Sequence, residues 1–428
     1  MADLLRPSML ELSQTISSHT AKIDQLLSSK NLPQPSFAAD APTPDFIPNN
    51  EVELRKLRDE LWVATQQLHD LVAGPKFAWM NMLVLQMHDT WTLQAIIDYN
   101  IAQHVPIHGT STYAEISQKS GLELDKCRRI LRYAMTNHVF YEPTPEHVAH
   151  TAISAQILHD QGARDLARHC LEEVHVGTAH QVKAIQKWPN TVHPGETGAS
   201  IGLGVEGKPL FELFAAEPHR AQRFGGAMGF IGAPGTNLAP DIEVAQGYPW
   251  KDLGEAKMVD CGGSRGHVSV AVANVAPEMQ FVVQDLPEVV SQAESRPPPG
   301  LEGRLKYEAY DFFTPQPIKD ADVYFFRRVF HDWPNDMCLN ILKNLIPSMK
   351  PGSRIILNET ILSSPGLHNV DPMEERVGRT LDMQMLVLAN SRERTLEDWK
   401  TLFAEGGEGK LSFERGEKSI LAWVRKAE

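Results

Sequence analysis

The sequence is sparing with everything that marks a secreted, metal-stapled or membrane-spanning chain. Its 428 residues include four cysteines, Cys127, Cys170, Cys261 and Cys338, scattered with no paired spacing. Neither a disulfide framework nor a zinc site is indicated, no metal is expected, and a reduced intracellular protein fits. No run of about 18 apolar residues occurs, so no transmembrane helix is expected. The opening MADLLRPSMLELSQ lacks a basic start followed by an unbroken apolar stretch, which argues against secretion and for a cytoplasmic protein. Basic residues number 41 against 54 acidic ones, a net charge of −13, and form no block. That balance argues against nucleic acid or an anionic membrane as a partner.

What is present suffices for two or three domains with separate cores. Residues 3–29 set Leu4, Leu5, Met9, Leu12, Ile16, Ile23, Leu26 and Leu27 at near-helical spacing, which predicts one or two amphipathic helices. Five prolines within residues 31–50 then read as an extended linker. Asn50 is placed to cap a helix over 51–73, with Leu54, Leu57, Leu61, Trp62, Leu68 and Leu71 along one side and Gly74-Pro75 as its stop. An N-terminal helix on such an arm packs either on a second subunit or back on its own chain.

From residue 77 to about 158 short helices follow one another. Thr112 with Glu115 three residues on forms a capping box, Gly121 ends that helix, and a third helix carries Arg128, Arg129 and Arg132 ahead of the wing-like VFYEPTPEHVAHT. Some DNA readers use a helix-turn-helix with a wing, but three arginines in so acidic a chain are a thin surface for phosphate. A dimer-forming scaffold is the expected use. Residues 160–250 read as helices and loops, where Phe224, Met228 and Phe230 among small residues either line a pocket for a flat organic molecule or form ordinary core. The divisions are therefore 1–75, N-terminal helices and linker; 76–160, winged helix; 161–250, helical connection; and 251–428, an α/β domain.

That last division is organised around KMVDCGGSRGHVSVAVANVAPEMQFVVQD, residues 257–285. An apolar run through Met258 and Val259 ends in Asp260, a turn holds Gly262, Gly263 and Gly266, a helix follows, and a second apolar run ends in Asp285. This predicts a β-α-β unit whose glycine turn is either a ligand seat or a plain tight turn. Ser264 breaks the G-x-G-x-x-G spacing a dinucleotide needs, and no Lys-Ser/Thr follows as in a P-loop. What remains is a nucleoside-type ligand without a pyrophosphate, with Asp285 placed to accept from two ribose hydroxyls. Alternation continues through strands at 305–310, 322–329, 353–359 and 420–424, which predicts a doubly wound, Rossmann-like parallel sheet with function at its strand C-terminal ends. Asp260, Asp285, Asp311, His331 and Glu359 all fall at such ends.

His331 directly follows the apolar strand YFFRRVF. An imidazole held there can take a proton from a hydroxyl while a carboxylate such as Glu359 fixes its tautomer; alternatively it caps the next helix or packs on Trp333.

The ordered set VDCGGSRGH, QDLPEV, YDFF, FRRVFHDWPND, ILNETIL and DMQMLVLANSRERTLEDW resembles the class I S-adenosylmethionine (SAM)-dependent O-methyltransferases of the plant caffeic-acid type and their fungal relatives, over roughly residues 75–425. The resemblance implies SAM as cofactor in the sheet domain and a winged-helix dimerisation domain before it. It implies SAM at Asp260, Gly262, Gly263 and Gly266, Asp285 and Leu286 at the ribose, Asp311 and Phe312 around the adenine, and Arg327 beside the cofactor. It further implies His331 as general base flanked by Glu359 and Glu393, and a homodimer; Phe224, Met228, Phe230, Asp332 and Met383 are the candidate pocket residues for a small aromatic or polyketide-derived acceptor. Two departures stand out. Ser264-Arg265 replace the usual small residues of the turn, and AEGGEGKLSFERGEKS after Phe403 is unusually acidic and glycine-rich. Some fungal members keep the fold yet use the sulfonium as a fixed charge for dehydration and pericyclic cyclisation, so methyl transfer and that chemistry are both enzyme expectations. A non-catalytic SAM- or DNA-binding regulator is the third.

Overall fold

The computed structural model describes residues 7–42, 46–48, 50–232, 241–294, 298–364, 372–417 and 419–427. The chain divides into two units: residues up to Glu172 together with the segment from His219, and Glu173–Pro218 with the remainder. Among the described residues no helix is long and apolar enough to cross a membrane, and all four cysteines are free thiols.

In the first unit Ser8 and Glu11 close a capping box, the Ser8 Oγ accepting from the Glu11 N–H at 3.1 Å, and start helix Met9–Ser29. Leu4 and Leu5 lie outside the described residues. Ile23 and Leu27 pack on Ile47, Leu54 and Leu57, so this helix folds back on its own chain. The partner helix, Val52–Met80, begins after Glu51 with no side-chain cap, so Asn50 does not play the expected part. Gly74-Pro75 kinks this helix instead of ending it. Gly74 takes a left-handed φ of 66°, and Pro75 opens a new helical segment where its missing N–H is not needed. The wing forms as expected, with Thr112 capping helix Tyr113–Ser120, Gly121 at φ 74° after it, and Ser111–Thr112, His147–Ala149 and Tyr141–Thr144 as a three-stranded sheet. Arg128 and Arg132 are engaged by Glu146 and Glu142 of that wing.

The second unit is built on a seven-stranded sheet: β1 Lys257–Cys261, β2 Gln280–Asp285, β3 Leu305–Ala309, β4 Val323–Arg327, β5 Arg354–Asn358, β6 Leu411–Glu417 and β7 Ile420–Arg425. Its order is β6-β7-β5-β4-β1-β2-β3, parallel except for β7, which runs antiparallel to both β5 and β6. Alternate residues feed two cores. Val259, Cys261, Tyr324, Phe326, Ile355 and Leu357 pack on one face, and Met258, Phe281, Val323, Phe325 and Ile356 on the other. Strands buried on both faces carry near-continuous apolar runs, which is why β1, β2, β4 and β5 are readable in the sequence. The order changes direction at β1, so β1 and β4 diverge into helices on opposite sides and leave a crevice at their C-terminal ends. The unexpected strand is β6, an edge strand made from the acidic, glycine-rich segment.

Candidate active site

His331 lies on the single turn Phe330–Asp332 directly after β4, and its position is held from three directions. The Glu359 Oε1 accepts from the N–H groups of Val329 at 3.1 Å and Phe330 at 2.9 Å. Arg394, 1% exposed, donates to the carbonyls of Phe330 at 3.0 Å and Trp333 at 2.9 Å and stacks on Trp399 at 5.0 Å. Ser391 donates its hydroxyl to the His331 carbonyl at 2.5 Å. Rotamer and backbone of the histidine are thus set by packing and main-chain hydrogen bonds rather than by a flexible loop.

The imidazole Nδ1 stands 2.8 Å from the Glu393 Oε1 and Nε2 stands 3.5 Å from the Asp332 Oδ1. A proton on Nδ1 shared with Glu393 leaves the Nε2 lone pair as the base. Glu359 is therefore not the carboxylate that orients the ring. Its bond to two main-chain amides makes it the anchor of the turn, and Glu393 takes the role the sequence reading gave to Glu359. Each of these two glutamates keeps a buried second oxygen, Oε2, without a hydrogen-bond partner among the described residues. Both have capacity left for a proton or a ligand hydroxyl.

Burial alone pushes the imidazole pKa down, but the charges of Asp332, Glu393 and Glu359 outweigh it and lift it to about 9. The carboxyl groups respond in the complementary sense. Burial lifts Glu359 to about 7 and Asp332 to about 6, each opposed by His331. Arg328, at φ 50° and half-buried near the same acids, is pushed down by desolvation and by Arg327. Ligand atoms of His331, Glu359 and Glu393 lie within 4.8 Å of one another, a grouping that can face a cation. The 2.8 Å contact between Nδ1 and Oε1 is nevertheless a hydrogen-bond distance, closer than two ligands on tetrahedral bonds of about 2.0–2.1 Å would stand apart.

Four strand ends lie beside this turn and carry the residues expected around a nucleoside. Gly262 and Gly266 adopt left-handed φ of 73° and 76°, and the Gly262 and Gly263 N–H groups donate to the Gln284 carbonyl at 2.7 and 3.1 Å. A Cβ at Gly262 would stand 2.8 Å from Val329 Cγ2, and one at Gly263 2.6 Å from the Asp260 carboxyl carbon, so only glycine gives a turn this close to the sheet. Asp260 is buried and accepts from the Ser269 hydroxyl at 2.6 Å. Asp285 accepts from the Ser264 and Leu286 N–H groups, both at 2.8 Å, and burial pushes its pKa up despite them. Asp311 is exposed and accepts from the Phe313 N–H at 2.9 Å, while Phe312 packs on Phe313 and Trp333. Arg327 donates to the Asn358 Oδ1 at 3.0 Å, and Leu286 is exposed. Ser264, for all its bulk, adopts φ 52° and spends its N–H on Asp285, so the departure from small residues leaves the turn intact. This is a cradle that side chains would fill, with one carboxylate at its rim, and it fits a nucleoside.

The remaining candidates scatter. Met383 is exposed on helix Pro372–Ala389, whose Asp382 accepts from the Glu393 N–H at 3.0 Å. Phe224, Met228 and Phe230 sit on helix Pro218–Ile231 in the first unit, where Phe224 meets His169 edge-on at 5.3 Å. Arg394 and Ser391 escaped the sequence reading as site residues. Their only signal was adjacency to Glu393 in SRERT, and residue type says nothing about donation to distant carbonyls.

Residues 250–408 match the family model described as an O-methyltransferase domain. Over most of its length the chain is 35% identical to the O-methyltransferase pyvH of Aspergillus violaceofuscus, covering 93% of this chain and 92% of that protein. It is 37% identical to the grayanic acid biosynthesis cluster O-methyltransferase of Cladonia grayi, over 92% of this chain and 82% of that one. In fold it is similar to the crystal structure of OxaC, at a TM-score of 0.78, 19% identity, and coverage of 98% and 99%. It is also similar in fold to LepI in complex with SAM, at 0.73, 20% identity, and coverage of 97% and 100%. With a glycine cradle and a rim carboxylate of the kind a nucleoside sulfonium requires, the chain belongs to the class I SAM-dependent O-methyltransferase family.

Proposed function

We propose that the protein methylates a phenolic or enolic hydroxyl of a small aromatic or polyketide-derived molecule, with His331 as the general base. The observation that carries this is the buried pair of His331 Nδ1 and Glu393 Oε1 at 2.8 Å, which leaves Nε2 to face a reactant. When bound, SAM supplies the methyl group and a fixed positive charge that disfavours a second cation nearby. Nε2 then takes the hydroxyl proton, Glu393 balances the resulting imidazolium, and Arg394 with Glu359 keeps the ring in line. Asp285, Gly262 and Gly263, with Asp311, Phe312 and Arg327, form the cofactor seat. Most of the acceleration comes from holding the two reactants in line, with proton transfer adding a factor of about 10²–10⁴. We place the protein in the cytoplasm, in keeping with its four free thiols, and as a homodimer, which the exposed apolar side chains on the first unit support.

A second reading is kept because the acids hold His331 protonated near neutral pH in the free protein. An imidazolium beside Arg328 can instead donate to a carbonyl and guide dehydration or pericyclic ring closure without methyl transfer. Incubation with SAM and a panel of phenols and enols, with products and S-adenosylhomocysteine quantified together, separates the two. Equimolar homocysteine derivative and methylated product support methyl transfer; turnover to unmethylated isomers with no homocysteine derivative overturns it.

A further inference from the structure

Between β3 and β4 the chain from Tyr310 to Ile318 carries Asp311 and Phe312, and one side chain in it reaches across the sheet ends. Gln316 is 3% exposed and Gln284, the residue before Asp285, is fully buried. Their amides are paired reciprocally: Gln316 Nε2 donates to Gln284 Oε1 at 2.9 Å, and Gln284 Nε2 donates to Gln316 Oε1 at 3.1 Å. Gln316 Nε2 also approaches the Sγ of Cys261, the residue before Gly262, at 3.7 Å. Its Oε1 accepts from the Ile318 N–H at 3.0 Å, and its main chain is tied to Asn344 and Ser348. Gln284 completes the junction, because its Nε2 also donates to Glu308 at 2.9 Å while its carbonyl receives the Gly262 and Gly263 N–H groups. The glycine turn, the Asp285 strand end and the Asp311-Phe312 loop thus meet at two buried amides with every donor and acceptor used. Neither residue needs to touch a ligand. Burying two amides in an apolar sheet is costly unless both are paired, so the pair holds only one loop position.

We propose that Gln284 and Gln316 are a positioning pair for cofactor binding, fixing the Asp311-Phe312 loop against the glycine turn and Asp285. This rests on the reading of those residues as the cofactor seat. Gln316→Met and Gln284→Met keep side-chain length and remove the amide; in each, the partner amide loses its two reciprocal bonds in the core and keeps only its contacts to Glu308 or to the Ile318 N–H and Cys261. Calorimetric titration with S-adenosylhomocysteine should show its Kd, and steady-state kinetics the KM for SAM, raised about tenfold, with kcat and acceptor KM within about twofold. The double variant, which removes both partners, should be no weaker than the poorer single one. An unchanged Kd in folded variants whose Tm falls, additive losses, or a fall in kcat at constant KM would overturn the pair. Hydrogen exchange on the wild-type protein needs no variant to fold: S-adenosylhomocysteine should protect 262–264 and 311–318 together, and protection of the first segment alone contradicts the proposal. A wild-type protein that does not bind S-adenosylhomocysteine removes the seat itself, an outcome distinct from variants that bind as wild type does.

Discussion

At His331 desolvation and charge act in opposite directions, and charge prevails: three carboxylates hold the imidazolium in place up to about pH 9. Two predictions belong to this side chain. Replacing it by Gln should cut methyl transfer by about 10²–10⁴ while leaving the Kd for S-adenosylhomocysteine within about twofold, as read by product assay and calorimetry. Activity that survives H331Q would remove the base from the mechanism. With His331 as the proposed base the neutral ring would be the active form, so kcat/KM should climb with pH along a limb set by His331. Glu393 raises the imidazole pKa both by charge and by hydrogen bond, so E393Q should move that limb to lower pH by about one unit. Stability carries the same signature. A basic group raised from 6.5 to about 9 contributes stability fully present below about 6.5 and lost as pH rises through about 9. Glu359 and Asp332, raised from 4.5 to about 7 and from 3.8 to about 6, also bind protons more tightly when folded, so their contributions fall in the same direction at lower pH. The Tm should decline between pH 6.5 and 9, and H331Q should flatten that decline.

Among the elements, the turn after β4 and the turn after β1 carry the site, and they meet where Gly262 faces Val329. Gly262→Ala combines a φ of 73° with a Cβ only 2.8 Å from Val329 Cγ2. The expected cost is about 1–3 kcal/mol in denaturant unfolding, together with weaker S-adenosylhomocysteine binding, since either the turn or Val329 must shift. Arg394→Met should be worse for the fold, because it strands the buried carbonyls of Phe330 and Trp333: about 2–4 kcal/mol for the pair, with kcat falling more than cofactor affinity. These turns differ in how visible they were. The glycine turn was legible because consecutive glycines after an apolar run have few other uses. The grip of Arg394 was not, since it acts on main-chain carbonyls 61 and 64 residues away. Strand β6 escaped notice for a related reason. An edge strand pairs on one side only, and LSFERGE shows no continuous apolar run of the kind that betrayed β1 and β4.

For the molecule as a whole, the most conspicuous surface lies on the first unit, from the helix Val52–Met80 through the turns that follow it. Trp62, Phe77, Trp79, Met82, Leu83 and Met87 along this stretch are each about half exposed or more. A monomer rarely leaves so many large apolar side chains of one stretch in water, and burial on a second copy would remove the cost. W79D combined with M82D should convert a dimer into a monomer in sedimentation velocity while far-UV circular dichroism stays as in the wild type. A wild-type protein that sediments as a monomer at micromolar concentration would sink the dimer.

Periodicity and punctuation acted locally, and local physics was enough for the alternating sheet, the glycine turn, the capped wing helix and the placement of His331 at a strand end. Each follows from neighbours within about 20 residues, where apolar spacing and backbone freedom leave few alternatives. Which carboxylate meets the imidazole, how the amides of Gln284 and Gln316 join three strand ends, and where the N-terminal helix packs were decided only when distant segments came together. Glu393 lies 62 residues from His331 and Gln316 lies 32 from Gln284, and no local pattern encodes a hydrogen bond across such a span. Those pairings exist because the sheet order places the strand ends side by side.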